Sequence, residues 1–265
     1  MENLSLYLIY FTCVVLCLCI SLSGGSNRVL LDDFCKRDRE EDESGGIRVK
    51  LAVLLPSSDT RLFSIHRVMP AIDIALEKVN SSGLLPGNVS LTVKSSDSRC
   101  SNEAINEAFN FYLAKEVSVY IGPVCDYAVA PIARQMRYWN LPIVTAGAMA
   151  DDYGRYKNTT FPLLTRVGPH FNSLANFFLT TMDHFSWKKV KLVYNPDAQE
   201  EIIDRFCHLA ADGLHRALTK KINSIKHDYF KIVSMSNKTL NVMFKSEIAN
   251  EYAGKSFNSI KSFIA

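Results

Sequence analysis

The sequence predicts an α/β fold, a parallel sheet with helices on both faces. Three observations carry that expectation. Short continuous apolar runs such as VKLAVLLP (49–56) have the character of strands covered on both sides. Segments with apolar residues at helical spacing lie between them, so strand and helix alternate from Ile47 onward. The connections are short, which favours right-handed crossovers within one sheet.

The elements follow in order. After the strand at 49–56 comes RVMPAIDIALEKVN (67–80), where Val68, Ile72, Ala75, Leu76 and Val79 recur on one helical face. Pro70 is tolerated if it falls in the first turn. Gly83, Pro86 and Gly87 make a turn into VSLTVKSS (89–96), the second strand. Past Cys100, Ser101 can cap a helix, Glu103 suits its positive end, and Ile105, Ala108, Phe109 and Tyr112 form its apolar face. VSVYIG (117–122) is the third strand, 126–139 the third helix and LPIVTAGA (141–148) the fourth strand. A polar and aromatic loop then leads to PLLTRVGP (162–169), where the chain is expected to cross to a second lobe. A helix at 171–185, a strand at 189–195 and a helix at 200–218 complete the legible part. Segment 219–265 is rich in Lys, Asn and Ser and shows no clear element.

The chain has 265 residues, 48% of them hydrophobic, enough for one large domain or two modest α/β lobes. A formal charge of +3 without a single-sign block argues against nucleic acid as a partner. Residues 1–25 are expected to be a signal peptide: an apolar run from Leu4 to Leu22 is followed by Ser23, Gly24 and Gly25. The run also approaches bilayer-spanning length, so an uncleaved anchor stays open. Both readings export the chain. Sequons at Asn80, Asn88, Asn158 and Asn237 fit export as glycosylation sites. Residues 26–46 form a flexible linker that ends in the charged run KRDREEDESGG.

Outside the leader the cysteines are Cys35, Cys100, Cys125 and Cys207, and the oxidising route makes disulfides their default state. Cys125 stands before a helix in YIGPVCDYAVAP (120–131), where an α/β enzyme can place a nucleophile or a phosphate loop. No Cys-His-Asn signature accompanies it, no G-x-S-x-G elbow is present, and the single glycine is not a P-loop. His208 and His215 share a helix face, but no carboxylate or thiol pattern completes a metal site. The chain is therefore not expected to be an enzyme. Cys100 and Cys125 each follow a strand and precede a helix, which in a parallel sheet brings both to the same carboxyl edge, within reach of a bridge.

Several motifs in order resemble the extracellular ligand-binding domain of natriuretic peptide receptors, the clearance type in particular. They are LAVLLPSSDTRLFSIHRVMPAIDIALEKV (51–79), IGPVCDYAVAPIARQMRYWNLPIVTAGA (121–148), LLTRVGPHF (163–171), WKKVKLVY (187–194) and FCHLAADGL (206–214), so the resemblance runs from about Val49 to Leu218. It implies a two-lobed fold like the periplasmic binding proteins, with residues 47–165 as first lobe, 166–218 as a partial second lobe and 219–265 as a tail outside the family. It also implies a peptide hormone held by a homodimer of a single-pass receptor. The family pairs the cysteines matching Cys100 and Cys125, and binds chloride through N–H groups matching Val124 and Cys125 together with a serine, here Ser95 or Ser96. Hormone contacts carry over to Tyr127, Arg134 and Asn102, to Tyr153 and Tyr156 in the contact loop, and to His208 and Leu209, which replace aromatic residues. For Tyr127 the alternative is helix packing, for Arg134 a solvated charge, and for the two loop tyrosines ordinary surface positions.

The departures shape the remaining expectations. Cys207 matches a family cysteine whose partner lies further along, and no cysteine follows it here, so it stays free, pairs with Cys35 or bridges to another molecule. The second lobe is expected to be incomplete, with no C-terminal membrane segment. The expected function is extracellular recognition of a natriuretic-like peptide, by a secreted form or at the outer face of the plasma membrane, without a cofactor apart from chloride. A small-ligand module of the same fold and a non-functional fragment are the alternatives.

Overall fold

Leu51, Ala52, Val53, Leu54 and Leu55 are all buried, which places the apolar run of the first strand at the centre of a sheet. A computed structural model describes residues 46–221, 225–233 and 237–249, so the leader, most of the linker and Cys35 lie outside the described residues. The chain forms two compact units: one runs to Ala148 and includes Tyr156–Gly168, and the other comprises Met149–Arg155 and the residues from Pro169 onward.

The first unit is built from β1 (Ile47–Leu55), α1 (Ile65–Ser81), β2 (Val89–Asp97), α2 (Glu103–Leu113), β3 (Val119–Ile121), α3 (Asp126–Trp139), β4 (Ile143–Thr145) and, in the second unit's intervening stretch, α4 (Asp152–Arg155), before β5 (Leu164–Arg166) closes the sheet. Its five strands are all parallel in the order β2-β1-β3-β4-β5, with Leu51 opposite Val93 on one side and Val119 on the other. The α/β class expected from the sequence is the observed one. The chain reverses its direction of travel across the sheet between β1 and β3, the point where ligands of open α/β sheets bind at the carboxyl edge.

Local chemistry explains the boundaries. α1 starts at Ile65, so Pro70 sits beyond the first turn, inside the helix, and not in the first turn as expected. The Ser64 hydroxyl is fully buried and donates to Asp59 at 2.9 Å rather than capping α1. Ser101 likewise spends its hydroxyl on Glu103, and α2 begins with Asn102 at its N-cap, without a side-chain cap bond. α3 ends where Asn140 adopts φ 54°, a left-handed conformation that asparagine tolerates. Tyr120 in β3 is wholly buried, and its hydroxyl donates to the Ala108 carbonyl of α2 at 2.6 Å, which satisfies the one polar atom of that side chain. Trp139 of α3 stacks on Tyr112 with centroids 4.2 Å apart and meets the edge of Phe109 at 4.8 Å, fastening α3 to α2.

The second unit adds α5 (Phe171–His184), β6 (Lys189–Tyr194), α6 (Phe206–Thr219), β7 (Lys226–Lys231), α7 (Asn237–Phe244) and a π-helical turn (Lys245–Ala249). β6 and β7 form a parallel pair from Lys189 opposite Lys226 to Tyr194 opposite Lys231. Two apolar clusters hold it: Met149, Phe171 and Ile203 with Phe206, Leu209 and Ala210, and Met182, Leu218 and Ile225 with Phe178, Trp187 and Leu214. The stretch after Thr219, in which the sequence shows no clear element, thus contributes β7 and α7. α6 starts at Phe206 rather than Glu200 because Arg205 takes φ 54°, which halts the helix on its N-terminal side. Among the described residues no helix is long and apolar enough to cross a membrane.

Candidate functional site

The loop 122–125 is shaped by close backbone approach. Gly122 has φ 85°, and a Cβ there would lie 2.1 Å from the Leu54 carbonyl oxygen, so only glycine lets β3 leave the sheet beside β1. Thr145 Oγ1 donates to the Pro123 carbonyl at 2.7 Å and accepts from Gly147 N–H at 3.0 Å, and Ala148 N–H donates to the Val124 carbonyl at 3.2 Å. The Pro123 and Val124 carbonyls are therefore bound to the end of β4 and the residues just after it. The N–H groups of Val124 and Cys125 donate to no backbone acceptor, and they stand at the N-terminus of α3 with its positive dipole end.

Cys125 is bonded to Cys100 with Cα atoms 5.3 Å apart, tying the loop after β3 to the loop after β2. Both cysteines are buried. Beside them Ser98 is fully buried, and its hydroxyl meets no hydrogen-bond partner among the described residues. Ser95 lies exposed on β2, and Ser96 gives its hydroxyl to Glu107. Ser98, two residues before a half-cystine, is thus a buried serine beside the bridge that the sequence did not single out. Asp97 fastens the same edge: it accepts from Ser57 N–H at 2.9 Å, from Ser57 Oγ at 2.6 Å and from Arg99 N–H at 2.9 Å. Partial burial acts to raise its pKa, but these hydrogen bonds and the Arg99 charge outweigh it and hold the carboxyl below its ordinary value.

Asn102 and Tyr127 each stand two residues beyond a half-cystine of this bridge, and both are exposed, Tyr127 at 62%. Arg134 lies two turns along α3 from Tyr127 on the same exposed face, with its guanidinium 5.6 Å from the Phe161 ring centroid. Tyr156 is exposed at 44%. These four residues belong to the first unit. In the second unit Tyr153 is only 4% exposed, so it is no free surface aromatic, and Leu209 packs against Met149, Phe171 and Ile203. His208 is half-buried on α6 beside Cys207. Cys207 is a buried free thiol whose pKa is pushed up by burial. Asn80, Asn88 and Asn158 are exposed, and the Asn237 side chain lies outside the described residues.

The sequence profile described as receptor family ligand binding region matches residues 67–249. The chain belongs to this family. The match continues past Leu218, where the motif resemblance ends, and takes in β7 and α7. The receptor family ligand binding region has a periplasmic-binding-protein-like α/β fold, in agreement with the parallel sheet and flanking helices. Within the family, the chain is 33% identical over 225 residues to mouse atrial natriuretic peptide receptor 3, a match covering 82% of this chain and 41% of the relative. It is 34% identical over 181 residues to the human receptor 3, covering 66% of this chain and 32% of the relative. Rat atrial natriuretic peptide receptor 2 is 30% identical over 195 residues, covering 71% of this chain and 18% of the relative. The chain thus spans well under half the length of these receptors.

Proposed function

We propose that this chain is an extracellular module that recognises a peptide hormone of the natriuretic kind and acts by binding rather than catalysis. The observation that carries this is the exposed face of α3, where Tyr127 and Arg134 project beside the disulfide-tied carboxyl edge. An aromatic ring and a guanidinium on a rigid helix are the side chains that most often anchor a peptide interface. The relatives, named as atrial natriuretic peptide receptors, supply the ligand class. Asn102 and Tyr156 add polar and aromatic contacts on the first unit, and His208 is the contact candidate of the second.

The same reading assigns chloride to the loop 122–125. The N–H groups of Val124 and Cys125, at a helix start and without a backbone acceptor among the described residues, have with the buried hydroxyl of Ser98 the donor chemistry that a halide needs. Homodimerisation is supported by a separate exposed surface on α2 and α3, where Leu113 is 74% and Tyr138 72% exposed next to Phe109 and Tyr112. Exposed sequons at Asn80, Asn88 and Asn158 support an exported, glycosylated protein.

The test is calorimetric binding of the full chain to a disulfide-ringed natriuretic-type peptide. Saturable binding weakened at least tenfold by Tyr127→Ala and by Arg134→Ala, with unchanged melting, is the expected result. Undiminished affinity in both variants removes α3 from the site, and no binding by the folded chain overturns the reading.

A further inference from the structure

Two histidines of the second unit face one another from different elements. His215 on α6 and His227 on β7 meet edge to face with ring centroids 5.0 Å apart, and His215 also abuts Tyr229 at 5.4 Å. Nδ1 of each ring is buried and meets no hydrogen-bond partner among the described residues. The Thr219 hydroxyl settles which nitrogen carries hydrogen in His227. It donates to the His215 carbonyl at 2.8 Å, so towards His227 Nε2, 3.5 Å away, it can only accept. Nε2 is then the protonated nitrogen, and Nδ1, buried and without a hydrogen-bond partner among the described residues, the one that must take an added proton.

We propose that His215 and His227 form a proton-sensitive joint between α6 and β7, packed while the His227 ring is neutral and loosened when that ring takes a proton. A charged ring would lose solvation and would press against its neighbour. The surroundings offer little compensation. On β7, Asp228 lies nearest, but Lys191 of β6 already holds it at 2.6 Å while reaching Glu247 at 2.8 Å. On α6, Asp212 and Arg216 pair with each other, and Arg216 also pairs with Asp152. α5 ends in Asp183 and His184, and the latter packs against Phe185. Tyr229 presents its ring to His215, and the lysines of β6 and β7 add only positive charge.

The direction of the effect follows. Desolvation first, and His215 second, lower the pKa of His227 below 6.5, against weaker pulls from the Ile225 carbonyl and Asp228. A depressed imidazole means that the unfolded chain binds the proton more readily. The joint is therefore fully held above pH 6.5 and loses stability as the pH falls through and below that value. The inference rests on this packing alone and stands whatever ligand the chain binds.

The test uses the full chain. Hydrogen exchange, corrected for intrinsic rates, is followed by mass spectrometry at pH 7.5 and pH 5.5, alongside an NMR titration of the histidine rings. The proposal expects amides of α6 and β7 to open more often in acid, by up to about tenfold at pH 5.5, one unit below the ordinary 6.5, while β1 to β5 stay unchanged. It expects His227 to titrate below 6.5, and His227→Gln to abolish the acid opening. A wild-type chain with no acid opening, a His227 midpoint at or above 6.5, or equal opening in wild type and H227Q each overturns it. The first two outcomes need no variant, so a poorly folding H227Q leaves the proposal open to refutation.

Discussion

Gly147 approaches Val124 so closely that a Cβ on the glycine would lie 1.9 Å from the Val124 carbonyl oxygen. The obstacle is backbone, so no rotamer change can relieve it, and the loops after β3 and β4 must part to admit even a methyl group. Gly147→Ala is expected to destabilise the first unit by about 2 kcal/mol or more. A urea unfolding midpoint equal to that of the wild type would show the approach to be looser than described.

The Cys100–Cys125 bridge closes a loop over a sequence separation of 25. On the chain-entropy account, replacing both cysteines by serine costs about 3.5 kcal/mol. If the same loop cradles chloride, the bridged protein should melt higher in chloride than in gluconate at equal ionic strength, and both the double variant and Ser98→Ala should lose most of that increment. An increment that survives in S98A removes Ser98 from the anion site.

Asp97 sets a pH dependence in the acid range. Its carboxyl is held below the ordinary 3.8, so its contribution is present above that pH and is lost as the pH falls through the lower folded value. Asp97→Asn should cost about 1 kcal/mol at pH 7, a figure reduced for the partial exposure of the carboxylate, and the gap to wild type should shrink as the pH falls below 3.8. A gap that keeps its size as the pH falls would mean that the charge plays no part.

Cys207 is buried, and burial raises its thiol pKa. Iodoacetamide should leave it unlabelled in the native chain and modify it fully in denaturant, as read by peptide mass mapping. Rapid native labelling would show that α6 opens far more often than its packing implies.

Lys191 has a side chain only 7% exposed and is gripped by Asp228 and Glu247. Lys191→Met would leave two carboxylates without their shared cation and should detach the π-helical turn, with faster hydrogen exchange over 245–249. Unchanged exchange there would mean that apolar packing alone holds the turn.

The alternation of strand and helix was legible because β1, β3 and β4 are covered on both faces and α1, α2 and α3 carry apolar residues at helical spacing. The bridge was legible because parallel topology carries both cysteines to one edge. β7 was not: KHDYFK has little apolar character, and its place depends on β6 and on the ion pair from Lys191 to Asp228, a partner 37 residues away. The start of α6 was hidden because Arg205 turns left-handed without a glycine or proline to announce it. Nor could local pattern distinguish Tyr127, which stands in solvent, from Tyr153, which is buried. Ser98 escaped notice because a buried, unpartnered hydroxyl is a property of three-dimensional surroundings.

The Tyr120 hydroxyl has a further consequence. By gripping the Ala108 carbonyl at 2.6 Å from within the sheet, it adds a directional contact between β3 and α2 to the apolar packing of that helix. Together with the stacking of Tyr112 on Trp139 and the burial of Ala104, Ala108 and Phe111, that bond sets the direction in which Leu113 faces on the outer side of the helix. A second copy of the chain docking on those residues would inherit its angle of approach from the core.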